Sequence, residues 1–144
     1  MKEKLLISAC LLGIGCRYDG GRIRKIDSAA LLDKYELIPV CPEIYGGLPT
    51  PRIPSERIGD KVMMKDGTDV TENYNRGMEH TVMIAEALGA RKALLKAKSP
   101  SCGKGRIYDG TFSGTLTDGD GVTAELLMRE GITVFDETQI ASLL

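Results

Sequence analysis

The sequence contains little of what several common functions require. Its 144 residues include no tryptophan and only 5% aromatic side chains, so it offers no aromatic platform of the kind that stacks single-stranded nucleic acid. Lysine plus arginine (19) nearly cancels aspartate plus glutamate (20), for a formal net charge of −1, which argues against nucleic-acid binding by bulk electrostatics. No apolar run approaches the length that spans a bilayer. These absences favour a cytoplasmic protein that contacts neither membrane nor nucleic acid.

Histidine and closely paired cysteines are also scarce, which limits the kinds of catalytic and metal site that the sequence can form. The one histidine, His80, lies in the middle of a predicted helix, so catalysis by a histidine acid or base is disfavoured. Four cysteines are present, but none has the C-x₂₋₄-C spacing typical of structural zinc sites. The closest pair, Cys10 and Cys16, is six positions apart. Cytoplasmic thiols stay reduced, so an even cysteine count does not predict disulfides.

Three of the four cysteines follow short apolar runs that are typical of buried strands. They are Cys10 after residues 5–9, Cys41 after residues 37–40 and Cys102 after residues 93–97. In an open parallel α/β sheet the carboxyl ends of the strands share one edge, where ligands bind. We therefore expect these three thiols to meet in one crevice and to form a metal site, a cluster site or a centre of thiol chemistry. Cys16 lies in mid-loop and does not share this placement.

The order of apolar runs and helical patterns predicts an α/β fold in a single domain spanning residues 1–144. Predicted strands cover 4–9, 36–40, 61–65, 91–97 and 132–135, and predicted helices cover 29–32, 71–88, 121–130 and 137–144. Strands that alternate with helices imply right-handed crossovers and a mainly parallel, Rossmann-like sheet with helices on both faces. Long irregular segments, 41–60 and 98–120, connect these elements. Ordered loops of such length are usually functional, which places the site at the carboxyl ends of the strands.

Several kinds of site remain open from the residues alone. Three thiolates suit a [4Fe–4S] cluster with one iron left for another soft ligand. Zinc or reactive thiols at the same edge would instead indicate a non-catalytic metal-binding or redox-sensing module. A third possibility is a nucleotide-binding module, because the segment GKGR (103–106) resembles a phosphate-binding loop but lacks the full P-loop pattern. A free cysteine is also often no more than a small buried hydrophobe.

Two polar residues beside the thiols are candidates for proton transfer. Glu43 follows Cys41 by two positions, and Ser99 lies three positions before Cys102. A carboxylate near a substrate or an activated water can act as a general acid or base. The alternative roles are structural, with Glu43 as a helix cap or exposed loop charge and Ser99 as part of a Ser-Pro turn.

Seven motifs, in order along nearly the whole chain, give it a specific resemblance. They are SACLLG (8–13), RYDGG (17–21), CPE (41–43), GGLPTPR (46–52), DVT (69–71), SPSCG (99–103) and IYDGTF (107–112). Together they resemble the thiouracil desulfurase family.

The resemblance implies a specific activity and ligand set. It implies a [4Fe–4S] cluster held by Cys10, Cys41 and Cys102, with its fourth iron open to substrate, and no ligand role for Cys16. The implied reaction removes sulfur from a thiolated uracil, a small pyrimidine substrate, without net redox change. The substrate's sulfur would bind the open iron, water activated by Glu43 would attack the ring carbon, and Ser99 would assist. The sulfur would then leave as hydrosulfide.

Overall fold

Four parallel strands form the central sheet of the protein, whose computed structural model describes residues 2–144. In chain order the elements are β1 (Glu3–Ser8), α1 (Ala29–Lys34), β2 (Tyr35–Val40), α2 (Pro42–Tyr45), β3 (Ser55–Ile58), β4 (Lys61–Met64), α3 (Thr71–Leu88), β5 (Lys92–Leu95), β6 (Arg106–Tyr108), β7 (Leu116–Asp118), α4 (Val122–Arg129) and β8 (Thr133–Asp136). Two 3₁₀ segments, Ala9–Leu12 and Glu137–Leu143, complete the fold. The sheet order is β2-β1-β5-β8, and each neighbouring pair is parallel. The predicted α/β class is confirmed.

The central strand β1 is buried on both faces, as its apolar run predicted. Leu5, Leu6 and Ile7 of β1 are all 0% exposed, and successive strand side chains point to opposite faces. Leu5 and Ile7 pack in a cluster with α1 and the C-terminal 3₁₀ segment, whereas Leu6 packs in a second cluster with α3 and α4. A strand covered on both faces needs apolar residues at every position, which explains why β1 shows no alternation of polar and apolar residues.

Two antiparallel hairpins lie outside the central sheet, and most of their strands were not predicted. β3 pairs with β4, and β6 pairs with β7. Only β4 was expected as a strand. β3, β6 and β7 contain three or four residues each, many of them polar, so they carry neither an apolar run nor a usable alternation. The single-turn helix α2 was not predicted either, and it occupies part of the segment expected to be irregular.

The long helix α3 has the predicted bounds but not the whole predicted buried stripe. The Asp69 carboxylate accepts a hydrogen bond from the Thr71 backbone N–H at 2.9 Å, at the start of the helix. Tyr74, Val82 and Ala85 are buried as expected, but Leu88 is 45% exposed. Leu88 lies on the last turn, where the helix has passed the edge of the core, so its assignment to the buried stripe was wrong. Within residues 2–144, no helix is both long and apolar enough to cross a bilayer.

Candidate active site

All four cysteines line one cavity of about 500 Å³ at the carboxyl edge of the sheet. Cys10 lies on the 3₁₀ turn after β1, Cys41 separates β2 from α2, and Cys102 lies in the loop after β5. The predicted convergence on one crevice therefore extends to Cys16, which sequence spacing had set apart. Cys16 is 5% exposed, and its carbonyl oxygen lies 4.0 Å from the Sγ of Cys41.

The turn that carries Cys102 is organised by Ser99. The Ser99 Oγ accepts hydrogen bonds from the backbone N–H groups of Ser101 and Cys102, both at 3.0 Å. The turn also packs tightly, because a Cβ at Gly103 would lie 2.6 Å from the carbonyl oxygen of Ser99. Ser99 thus has the structural turn role considered from sequence, and it also lines the cavity with its hydroxyl proton still available for donation.

The other two candidate ligands are held by different local structures. Cys10 lies on a turn that ends at Gly13, whose φ of +89° is in the left-handed region that favours glycine. Cys41 occupies the N-cap position of α2 with an extended backbone, and Pro42 follows at the first helical position. Proline suits that position because its fixed φ matches the helix and its missing N–H has no helical partner to lose. The Cys-Pro pair therefore ends β2 and starts α2 in one step.

Burial and neighbouring groups shift the pKa values of the cysteine thiols. Burial raises the pKa of Cys10 to about 11, although the nearby Lys96 ammonium opposes this shift. Burial also raises the pKa of Cys102. A hydrogen bond with Cys16, together with burial, raises the pKa of Cys41, and the same bond lowers the pKa of Cys16. Buried thiols of this kind become thiolates readily only when a bound cation compensates their charge.

These thiols form a set of donors that suits an iron–sulfur cluster. Within residues 2–144, no three His, Cys, Asp or Glu side chains are grouped closely enough to hold one metal ion. Cys10, Cys41 and Cys102 nevertheless share a cavity and influence one another electrostatically. Cysteine thiolates around a common space suit a polynuclear iron–sulfur group, whose ligands bind different iron atoms.

Glu43 is held in the cavity by Arg52, an arginine of the same irregular segment, 41–60. Its Oε2 accepts hydrogen bonds from Arg52, from Nε at 3.0 Å and from Nη2. The Arg52 side chain is only 3% exposed and that of Glu43 only 15%, so neither carries the role of an exposed loop charge. Among the described residues, no hydrogen bond involves the Oε1 of Glu43, which leaves that oxygen available to a water or a substrate.

Some residues noticed in the sequence lie elsewhere, and others were missed. None of residues 103–106 lines the cavity, and Arg106 pairs instead with Asp118 at 2.7 Å. The exposed His80 of α3 is also outside it. Tyr18 and Tyr108, from the motifs RYDGG and IYDGTF, both line the cavity. Sequence reasoning did not assign several other lining residues to the site, among them Glu56, Tyr74, Lys96 and Phe112.

The fold and the cavity define an α/β protein with a cysteine-rich site at the carboxyl edge of a parallel sheet. A family model described as 2-thiouracil desulfurase matches residues 5–139, and the chain belongs to that family. This confirms the resemblance found in the motifs and the enzyme class that it implied.

Two individual proteins are similar over nearly the full chain. The "Uncharacterized protein YbbK" of Bacillus subtilis (strain 168) is 41% identical over 150 residues, covering 97% of this chain and 99% of the relative. A solved structure of the "[4Fe-4S]-dependent thiouracil desulfidase TudS" superposes with a TM-score of 0.92 at 46% identity, covering 99% of this chain and 95% of that one.

Proposed function

We propose that this protein is a [4Fe–4S]-dependent desulfidase that replaces the sulfur of a thiolated uracil with oxygen from water. The observation that carries the proposal is the shared cavity of Cys10, Cys41, Cys102, Glu43 and Ser99, in a family member similar to TudS. The substrate class is 2- or 4-thiouracil as a base, nucleoside or nucleotide. The near-zero net charge favours such a small molecule over RNA, and we expect the enzyme to act in the cytoplasm as a single domain, residues 1–144.

Cys10, Cys41 and Cys102 are the residues that would hold the cluster. Their burial disfavours free thiolates, and binding to iron would provide the compensating positive charge. When bound, the cluster supplies a soft Lewis-acid iron without a protein ligand, to which a sulfur atom can bind. Cys16 is a neighbour of this set in our proposal and not a ligand.

Glu43 would remove a proton from the attacking water. Arg52 engages the Oε2 of Glu43, which fixes the carboxylate and leaves Oε1 to accept the proton. The reaction balances without an oxidant or reductant, because thiouracil and water give uracil and hydrogen sulfide, released as hydrosulfide with a proton. A positioned general base typically contributes 10²- to 10⁴-fold to a rate.

Ser99 would act as a hydrogen-bond donor, whereas Glu43 accepts a proton. Its Oγ already accepts two backbone hydrogen bonds, so its hydroxyl can only donate further, toward the cavity that it lines. A donor in that place can hydrogen-bond the substrate or return a proton to the departing sulfur.

Anaerobic reconstitution with iron and sulfide tests this proposal. The loaded protein should be brown and should convert 2- or 4-thiouracil, or their nucleosides or nucleotides, to the uracil form with one hydrosulfide per turnover. Cys10→Ser, Cys41→Ser and Cys102→Ser variants should lose iron and activity, whereas Cys16→Ser should keep both. Glu43→Gln should keep the cluster absorbance and lose at least about 10²-fold in kcat.

Two results would reject the proposed function. One is full activity in any of the three ligand variants. The other is a purified protein that holds stoichiometric zinc without sulfide and does not react with thiouracil, which would support the metal-binding or thiol-sensing alternative.

A further inference from the structure

Glu56 is a buried carboxylate that has no part in the reaction proposed above. It lies on β3 and is 8% exposed. Its Oε1 accepts hydrogen bonds from the backbone N–H of Gly110 at 2.9 Å and of Phe112 at 3.1 Å. Within residues 2–144, no lysine, arginine or histidine forms an ion pair with Glu56. A buried carboxylate is costly unless it is well hydrogen-bonded, so these two bonds have a structural purpose.

The segment that Glu56 holds, residues 109–115, is otherwise bonded mainly to itself. Asp109 accepts hydrogen bonds from Thr111, Thr111 bonds to Ser113, and the Asp109 N–H bonds to the Thr115 carbonyl. In the described part of the chain, the two bonds to Glu56 are the only hydrogen bonds from this segment to residues outside its own hairpin. One carboxylate therefore fastens the β6–β7 tip to β3.

The backbone of the tip is pressed against β3 in a conformation that needs such fastening. Gly110 has a φ of +94°, and a Cβ there would lie 2.4 Å from the Cγ1 of Ile58. Phe112 has a φ of +55°, an uncommon value for an aromatic residue that persists only when its surroundings enforce it. Release of the Glu56 bonds should let Phe112 relax away from its present position.

That position places Phe112 at the cavity wall. Phe112, Tyr18, Tyr74 and Tyr108 all line it, which is four of the seven aromatic residues in a chain without tryptophan. Phe112 is the one among them without a polar atom on its ring. Aromatic side chains stack on any base because every base has a π-face, so an apolar aromatic residue at this wall suits a flat heterocycle.

We propose that Phe112 is a specificity-determining contact that stacks on the pyrimidine ring, and that Glu56 is the positioning residue that holds it there. This inference rests on the proposed function for the identity of the ligand. It concerns how the ring is bound and not how sulfur is removed, so binding without turnover tests it separately.

The test compares uracil with 5,6-dihydrouracil as ligands of the cluster-loaded protein, by calorimetry under anaerobic conditions. The two ligands share their N–H and C=O groups, but the saturated C5–C6 bond makes dihydrouracil non-planar. The wild type should bind uracil about tenfold more tightly than dihydrouracil, which is at the low end of what stacking on an aromatic side chain contributes per base. Phe112→Leu should lose this preference, and Phe112→Tyr should keep most of it.

Variants at Glu56 separate positioning from general stability. Glu56→Ala should reduce the preference for uracil to that of Phe112→Leu. The double variant should show the same preference as either single variant, because both changes remove the same contact. Glu56→Gln should restore most of the preference, since its amide oxygen can still accept both N–H bonds. For turnover of 4-thiouracil, Glu56→Ala should raise KM more than it lowers kcat. Thr117→Ala, on the exposed side of the same hairpin, is the matched control.

Distinct results overturn the inference and the proposed function. Equal binding of uracil and dihydrouracil by the wild type, or an unchanged preference in Phe112→Leu, overturns the stacking role even if desulfuration proceeds. If Glu56→Ala does not fold, a Glu56→Gln variant that loses the preference while keeping its melting temperature overturns the positioning role. Ring preference that depends on Phe112 without any desulfuration supports the inference and rejects the proposed function.

Discussion

Arg52 is the side chain on which most of the site's polar geometry depends. Its guanidinium donates to the Glu43 carboxylate, to the carbonyls of Cys16 and Pro49, and to the Thr50 hydroxyl. These partners belong to three different stretches of chain that meet at the cavity wall. Arginine suits this task because its planar fork can donate in several fixed directions at once.

Replacing Arg52 by lysine should therefore be costly although the charge is retained. Lysine cannot satisfy the Glu43 oxygen and the carbonyls together, so the free energy of unfolding should fall by about 2–3 kcal/mol, toward the range for breaking a buried pair. Catalysis should fall as well, because the carboxylate would lose its fixed orientation. Urea unfolding of the cluster-free protein and turnover of the loaded protein measure the two effects.

Arg129→Lys provides the comparison for this change. The Arg129 side chain is 70% exposed and pairs with Glu125 one helical turn away, and such surface pairs contribute at most about 0.5 kcal/mol. A loss in Arg52→Lys no larger than in Arg129→Lys would contradict the role given to Arg52.

At the scale of elements, the site depends on the close crossing of α2 and α3. A Cβ on Gly46 would lie 2.1 Å from the Asn73 carbonyl oxygen, and a Cβ on Gly77 would lie 2.0 Å from the Pro42 carbonyl oxygen. The two glycines thus allow backbone to approach backbone from both sides. Since Cys41 caps α2 and Glu43 lies within it, this crossing sets the depth of both residues in the cavity.

Gly77→Ala should destabilise the protein and loosen the site. Alanine favours a helix by about 1 kcal/mol over glycine, but here its methyl group has no room, and overpacking typically costs about 1–3 kcal/mol. We expect a net loss of stability and less iron per chain after reconstitution, because α2 must move outward with Cys41. Thermal unfolding and iron analysis provide the measurements.

The exposed position Glu79 on the same helix is the control. Glu79→Ala changes no packed surface, so its melting temperature and iron content should match the wild type. A Gly77→Ala protein that is more stable than wild type and retains full iron would show that the α2–α3 crossing tolerates expansion.

At the scale of the whole molecule, a third apolar cluster joins the β3–β4 hairpin to the helices α3 and α4. It contains Tyr74 of α3 with Leu48, Val62, Val70 and Val122. Burial and the negative charge of Glu43 raise the pKa of Tyr74 above its usual value of 10. The phenol is therefore neutral in the folded protein at pH values where an unfolded chain would begin to ionise it.

This shift makes global stability depend on pH in a defined direction. The contribution of Tyr74 is fully present below pH 10 and is lost as the pH rises above 10, because the unfolded state then releases the phenol proton first. Tyr74→Phe removes this loss. Its free energy of unfolding should lie within about 1 kcal/mol of the wild-type value at pH 8, and it should rise relative to the wild-type value at pH 11. Urea unfolding at both values measures it, and a constant difference would argue against a raised pKa.

Much of the framework could be predicted from the sequence, and the reason lies in local rules. The apolar runs before Cys10, Cys41 and Cys102 predict buried strands, and their alternation with helices predicts a parallel sheet. Parallel strands have their carboxyl ends at one edge, so the meeting of these cysteines follows from topology without any knowledge of loop paths. The helix over 71–88 was equally predictable, because eighteen residues show its period clearly.

Only the tertiary structure decided which contacts the segments between those elements make. The burial of Cys16 beside Cys41, the pairing of Arg52 with Glu43, and the fastening of the Phe112 segment by Glu56 all join stretches far apart in sequence through loops and short strands. Such segments have no period from which a path can be deduced, and their contacts form only once the sheet has placed their ends. The sequence by itself determined which edge of the sheet carries the thiols. Only the folded chain decided which polar and aromatic side chains surround them, because long-range packing, not local pattern, sets the course of these loops.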